Sequence, residues 1–195
     1  MIPKNAVLFV VDIQDGFDEP HFGNRNNHEA ESNVARLLAA WRKSNRPVMY
    51  AQHHSLNSDS PLHPSHPGVA IKDIVKPEAG EQVFIKSVNS AFIGTDLEDV
   101  LHEKGYDTLV FTGFTTNYCV STTVRMASNL GFKTYVISDA TAAWDTVDHT
   151  GKTHPAETIH EIALANLHDE FATVLDSESL LAELEGLIQT SFCLR

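Results

Sequence analysis

The 195-residue sequence holds only two cysteines, Cys119 and Cys193, too few for a disulfide framework. Basic residues are also scarce. Fourteen Lys and Arg stand against 26 Asp and Glu, giving a net charge of −12. Nucleic-acid phosphates ask for a basic patch, and an anionic membrane surface repels such a chain. No apolar run approaches the roughly 20 residues of a transmembrane helix. Met1-Ile2-Pro3-Lys4-Asn5 leads straight into a strand-like segment, without the layout of a signal peptide. The residues after that strand read Asp12-Ile13-Gln14-Asp15-Gly16, not the G-x-G-x-x-G of a dinucleotide-binding turn. No internal repeat, linker or low-complexity tract is evident. A soluble, cytoplasmic protein with one domain over residues 1–195 is the expectation, with neither nucleic acid nor membrane as partner. The 42% of hydrophobic residues suit it, since at this length roughly 70% of the unfolded surface can be buried.

Residues 6–12 (AVLFVVD) form an apolar run closed by an acid, the pattern of a strand buried on both faces. Val34, Leu37, Leu38 and Trp41 have the spacing of one helix face within 31–43. Further strands are predicted at 47–51, 82–86, 107–112, 133–138 and 171–175. Helices are predicted from a capping box at Thr95–Glu98 to near Gly105, over about 119–130, from about Pro155 to His168, and over 178–189. The His-, Pro- and Ser-rich stretch 53–80 reads as a long surface loop, of the kind that often carries function. Strand–helix alternation of this sort means a mainly parallel sheet covered by helices on both faces. In such sheets the ligand crevice lies beyond the carboxyl ends of the strands.

The residues that end the apolar runs are therefore the chemical candidates. Cys119 falls at the predicted first turn of a helix, where backbone N–H groups and the dipole favour a thiolate and can hold an oxyanion. The alternative is an inert buried cysteine. Cys193 reads as incidental. Asp12 suits a general base that takes a thiol proton and returns it to a leaving group; otherwise it caps a helix or a loop. Lys86 is either a solvated strand end or a fixed positive charge holding acid and thiol in register.

The segments VVDIQDGF (10–17), IKSVNSAF (85–92), TGFTTNYCVSTTVRMASNLGF (112–132) and ISDATAAW (137–144) resemble the isochorismatase-like cysteine hydrolases, in order and over nearly the full length. The resemblance implies a three-layer α/β fold whose six-stranded sheet has the order 3-2-1-4-5-6. It also implies a catalytic triad of Asp12, Lys86 and Cys119, a cis peptide between Phe114 and Thr115, and an oxyanion hole from the N–H groups of Thr115 and Cys119. The reaction implied is covalent: Cys119 attacks a carbonyl, Asp12 protonates the leaving amine, and water cleaves the thioester. Relatives of this kind are homo-oligomers, so a homodimer or homotetramer is expected.

The departures narrow the reading. Nicotinamidases of the superfamily carry an Asp-x-His metal motif after the second strand, and here that stretch reads Gln52-His53-His54-Ser55. His63 and His66 remain nearby without a further acid or cysteine, so neither a metal nor another cofactor is expected. Isochorismatase itself lacks the nucleophilic cysteine. The other members cleave C–N bonds in small amides, ureido compounds or cyclic amides, and Thr115–Cys119 with His53–Ser55 look most like the cyclic-amide, streptothricin-hydrolase-like group. Phe17, His53, His54, Asn89, Phe92, Tyr118 and Trp144 are the expected substrate-binding residues, and aromatics there suit a small, partly apolar ligand. Arg125 lies within a helix, leaving no evident clamp for a carboxylate, and a neutral or cationic amide is favoured. His149, His154 and His160 are expected at the surface. Val120, Val124 and Ala127 fit either core or interface. The alternatives are a thiol-dependent hydrolase of esters or isochorismate-like compounds, and a non-catalytic binding protein.

Overall fold

Val7 to Val11 are buried without exception, because this strand, β1, lies in the middle of a sheet covered on both sides. A computed structural model describes the backbone of residues 2–192 and the side chains of residues 2–186; Cys193 lies outside the described residues. The remaining strands are β2 (Val48–His53), β3 (Gln82–Lys86), β4 (Thr108–Phe114), β5 (Lys133–Ala142), β6 (Thr146–Val147), β7 (Thr153–His154) and β8 (Thr173–Leu175). Six of them form one sheet of order β3-β2-β1-β4-β5-β8, and every pairing within it is parallel. The predicted architecture holds, its sixth strand being β8 because β6 and β7 pair only with each other, as a small antiparallel hairpin.

The alternation along β1 divides the core in two. Leu8 and Val10 pack with Val34, Leu37, Leu38 and Trp41 of helix α1 (Ala30–Lys43) and with Leu180 and Leu184 of α5 (Ser177–Phe192). Val7, Phe9 and Val11 face the other way. They meet Leu97 and Leu101 of α2 (Leu97–Glu103), Val124 and Ala127 of α3 (Ser121–Asn129), and Leu167 of α4 (Ala156–Leu167). Val120, Val124 and Ala127 are thus core. Among the described residues no helix is long and apolar enough to cross a membrane.

Several local expectations are corrected. Thr95 does not cap α2 in a box with Glu98; Asp96 takes the cap position, while the Thr95 hydroxyl donates to Ala91 O. Pro155 stands just outside α4 rather than in its first turn. The predicted helix from 119 divides into a π-helical turn, Thr116–Val120, followed by α3. The 53–80 stretch is not wholly a surface loop. It makes two short 3-10 turns, Pro67–Val69 and Asp73–Val75, and buries Leu62, Val75 and Lys72.

Three glycines let these parts meet. Gly113 has φ +110°, and a Cβ there would lie 1.9 Å from Val11 O, so only glycine admits β4 this close to β1. Gly16 and Gly68 touch backbone to backbone, a Cβ on Gly68 falling 2.8 Å from Gly16 Cα. That contact seats the 66–70 turn against the end of β1.

Candidate active site

The sheet register brings three chemically distinct side chains to one rim. Asp12 follows β1, Lys86 ends β3 opposite His53 of β2, and Cys119 lies in the turn after β4. Asp12 has φ +50°, a conformation that few non-glycine residues adopt and that asparagine and aspartate tolerate best. Gln14, fully buried, fixes the neighbourhood. Its amide oxygen accepts from His53 N at 2.8 Å, and its Nε2 donates to His53 O at 2.9 Å and to Val69 O at 2.8 Å. One side chain thereby ties β1, β2 and the 66–70 turn together.

Lys86 Nζ is the hub. It donates to Asp12 Oδ2 at 2.6 Å, to Val88 O at 3.2 Å and to Cys119 Sγ at 3.4 Å, and it lies 3.3 Å from His53 Nδ1. The side chains of Lys86 and Asp12 are both completely inaccessible. An ammonium has three protons for these four neighbours and can only donate, so where one of them turns to His53 it is Nδ1 that accepts, with the ring proton on Nε2. Asp12 Oδ1 is buried, and among the described residues no N–H or O–H donates to it; the Cys119 thiol lies beside the carboxyl.

Electrostatics at this cluster correct the expectation of a resting thiolate. Burial, then the Asp12 charge, pushes the Cys119 thiol up to about 12, against the pull of Lys86. Burial also raises the Asp12 carboxyl, with Lys86 acting in the opposite direction. Two anions cannot share this dry site, so one proton stays with the pair. Burial and the Lys86 charge lower His53 to about 4, so its imidazole is neutral at neutral pH.

Asp12, His53 and Cys119 each present a donor atom within 4.8 Å of the others, a set that could ligate a soft divalent cation. All three converge on the Lys86 ammonium, which supplies the positive charge a metal would bring. The Nδ1 of His63 meets Ser65 Oγ at 2.7 Å, and that of His66 accepts from Gly68 N at 3.0 Å.

The Phe114–Thr115 peptide is cis, as the resemblance implied. Thr115 O accepts from both Tyr118 N and Val120 N, at 3.1 and 3.2 Å, which closes the turn carrying Cys119. Beside it opens a cavity of about 440 Å³. Phe17, His53, Asn89, Thr115, Tyr118, Cys119 and Trp144 line it, together with His21, Phe22, Leu62, Asn117, Asp145, Thr146 and Val147, which the sequence did not single out. Phe17, Phe22 and Trp144 make one wall, with centroids 5.0 Å apart for Phe17–Phe22 and 5.2 Å for Phe17–Trp144.

Three other expectations fail. Phe92 is a core residue, stacked on Phe132 at 5.9 Å, because the chain after Lys86 folds inward and Ala91 N donates to Thr123 Oγ1. His54 turns away and lines a separate hollow with His63 and Ile85. His160 is buried rather than at the surface. Its Nδ1 lies 2.9 Å from Thr116 Oγ1 and its Nε2 3.3 Å from Asn27 Nδ2, so α4 braces the Cys119 turn through it. His149 is exposed, and His154, half-buried, meets Asp148 at 2.7 Å.

A buried acid–lysine pair beneath a cysteine, at the carboxyl rim of a three-layer parallel α/β sheet, marks a class of hydrolase-like folds with a thiol at the crevice. The isochorismatase domain model matches residues 6–179, and the chain belongs to that family. It is 50% identical to the uncharacterised isochorismatase family protein YrdC of Bacillus subtilis (strain 168), over 91% of this chain and 95% of that one. A solved structure of an isochorismatase-family protein from Chromobacterium violaceum ATCC 12472 superposes with TM-score 0.92 at 39% identity, covering 95% of this chain and 96% of the other. The ureidoacrylate amidohydrolase RutB of Methylobacterium radiotolerans is 28% identical over 89% of this chain and 77% of its own. The family and its amidohydrolase relatives make this protein a hydrolase.

Proposed function

We propose that the protein hydrolyses the C–N bond of a small amide through a thioester on Cys119, with Asp12 as the proton carrier and Lys86 as the fixed charge. The observation that carries this reading is the Lys86 ammonium, bonded at once to Asp12 and Cys119 with no solvent access. A cation there lets a thiol lose its proton to a neighbouring carboxylate without creating net negative charge.

The steps balance as follows. Asp12 Oδ1 takes the Cys119 proton as Sγ bonds to the amide carbon, and the carbonyl oxygen becomes an oxyanion facing the N–H groups of Thr115 and Cys119. Collapse breaks the C–N bond, and Asp12 gives its proton to the departing nitrogen. Water then loses a proton to Asp12 and attacks the thioester. Cys119 leaves as thiolate and regains the proton from Asp12. Amide and water become carboxylic acid and amine, and the site is restored.

The test is turnover of a panel of small amides and ureido acids, read by ammonia release, and of cyclic amides and small esters, read by chromatography of the opened or cleaved product, run beside Cys119→Ala. Turnover on one class, reduced at least about 10³-fold in the variant, is the expected result. Release unchanged by Cys119→Ala would remove the thiol from the reaction. Turnover confined to esters would replace the amide reading.

A further inference from the structure

The charges around the pocket say what its ligand does not carry. None of the described residues lining the cavity is Lys or Arg. Two cations do stand close behind the aromatic wall. The Arg25 guanidinium lies 5.1 Å from the Phe114 centroid and 5.7 Å from that of Trp144, and Lys72 Nζ lies 6.0 Å from Phe114. Both are committed elsewhere. Arg25 grips both oxygens of Glu31 at 2.7 Å, and Lys72 pairs with Asp18 at 2.5 Å and Glu31 at 2.8 Å. Lys86, the remaining nearby cation, is held by Asp12.

The acid on the wall is anchored in place. Asp145 accepts from Ala156 N at 2.8 Å and from Asn24 Nδ2 at 3.0 Å, and its charge adds negative potential that works against a second carboxylate. The rest of the lining holds no fixed cation: Phe17, Phe22, Leu62 and Trp144 are apolar, Asn89 and Asn117 are uncharged amides, and His21 and His53 are imidazoles. A carboxylate brought into this cavity would lose its water and gain no lysine or arginine partner.

Resting on the amidohydrolase reading, we infer that the substrate is an uncharged amide with an apolar acyl part, packed on Phe17 and Trp144, and that amides bearing a carboxylate are rejected. In this the chain parts from its ureidoacrylate-hydrolysing relative, whose name specifies an acid.

The test compares matched pairs, benzamide with 4-carbamoylbenzoate and butyramide with succinamate, by kcat/KM for ammonia release. The neutral member is favoured by at least about 100-fold in each pair; ratios within about threefold, or a preference for the acid, overturn the inference while leaving C–N hydrolysis intact. Val147→Arg, on the exposed lip of the cavity, raises kcat/KM for the acids about 10-fold or more by supplying the missing cation. In parallel, Cys119→Ala is titrated with the same four compounds and its Tm followed. Stabilisation by the neutral amides alone supports the inference even if wild-type protein turns none of them over, the result that would instead sink the hydrolytic reading. Stabilisation by the acids, or by none of the four, overturns it.

Discussion

Removing Lys86 should separate stability from solvation in a way that pH reveals. In Lys86→Met the buried Asp12 carboxylate loses the cation it pairs with, and breaking a buried ion pair from one side costs about 3–5 kcal/mol. For a chain of this size that lowers Tm by about 6–20 °C. The folded-state carboxyl is already raised by burial with Lys86 present, and it rises further without it. A raised acid binds its proton more tightly in the folded than in the unfolded chain. The folded variant is therefore best placed below the unfolded value near 3.8, and loses stability as pH climbs through the folded value. The deficit against wild type should be largest at pH 8 and shrink toward pH 5, by up to about 1.4 kcal/mol per unit. Asp12→Asn, which strands the ammonium instead, should show the opposite trend. The double variant should recover at least about 2 kcal/mol of the summed losses. Urea unfolding followed by circular dichroism at both pH values measures all four proteins. A Lys86→Met deficit under about 1 kcal/mol, or one independent of pH, would refute the claim that Asp12 is buried against a charge it needs.

Iodoacetamide should label Cys119 slowly near pH 7.5, because the thiol is pushed up to about 12. Asp12→Asn, by removing a negative neighbour, should speed labelling at least about 10-fold while abolishing turnover; slower labelling would contradict the electrostatics. His53, lowered to about 4 from an unfolded value of 6.5, binds its proton less readily when folded. It therefore contributes stability in full above pH 6.5 that is lost as pH falls toward 4, and His53→Gln should flatten the unfolding free energy across that window. Gly113→Ala should yield no soluble protein, its Cβ colliding with Val11 O. His160→Ala, leaving the buried Thr116 hydroxyl without its partner, should cost about 1–3 kcal/mol in urea unfolding and lower kcat more than it changes KM.

The parts of the site that were legible in the sequence are those that end buried strands. Asp12 and Lys86 each close an apolar run, and the sheet's parallel order alone sends them to one rim. Loops carry no such rule. Asn89 and Phe92 stand in the same segment after Lys86, yet the chain turns inward between them and delivers Phe92 to the core and Asn89 to the cavity. Phe22, Leu62 and Val147 escaped notice because nothing periodic marks which loop residues fold back over a crevice. His160 was within reach: it shares the stripe of Ala156, Ala163 and Leu167, the buried face of α4, and a polar residue on an apolar stripe asks for a partner. The resting thiol was hidden because its causes are burial and, after it, the charge of Asp12, which lies far away in the chain, and not its place at a helix start.

The position of β1 also bears on how the protein is made. Of the strands of this sheet it is the first to be synthesised, yet it needs neighbours on both edges, and one of them, β4, is complete only once Phe114 has been added. Until then a strand of five apolar residues has an open edge, and the crevice does not exist even in outline. Contacts so distant in sequence form slowly, and an unpaired apolar strand invites other chains to bind. A ribosome-bound chain stopped before β4 should therefore expose the very segment that becomes the most sheltered in the finished molecule.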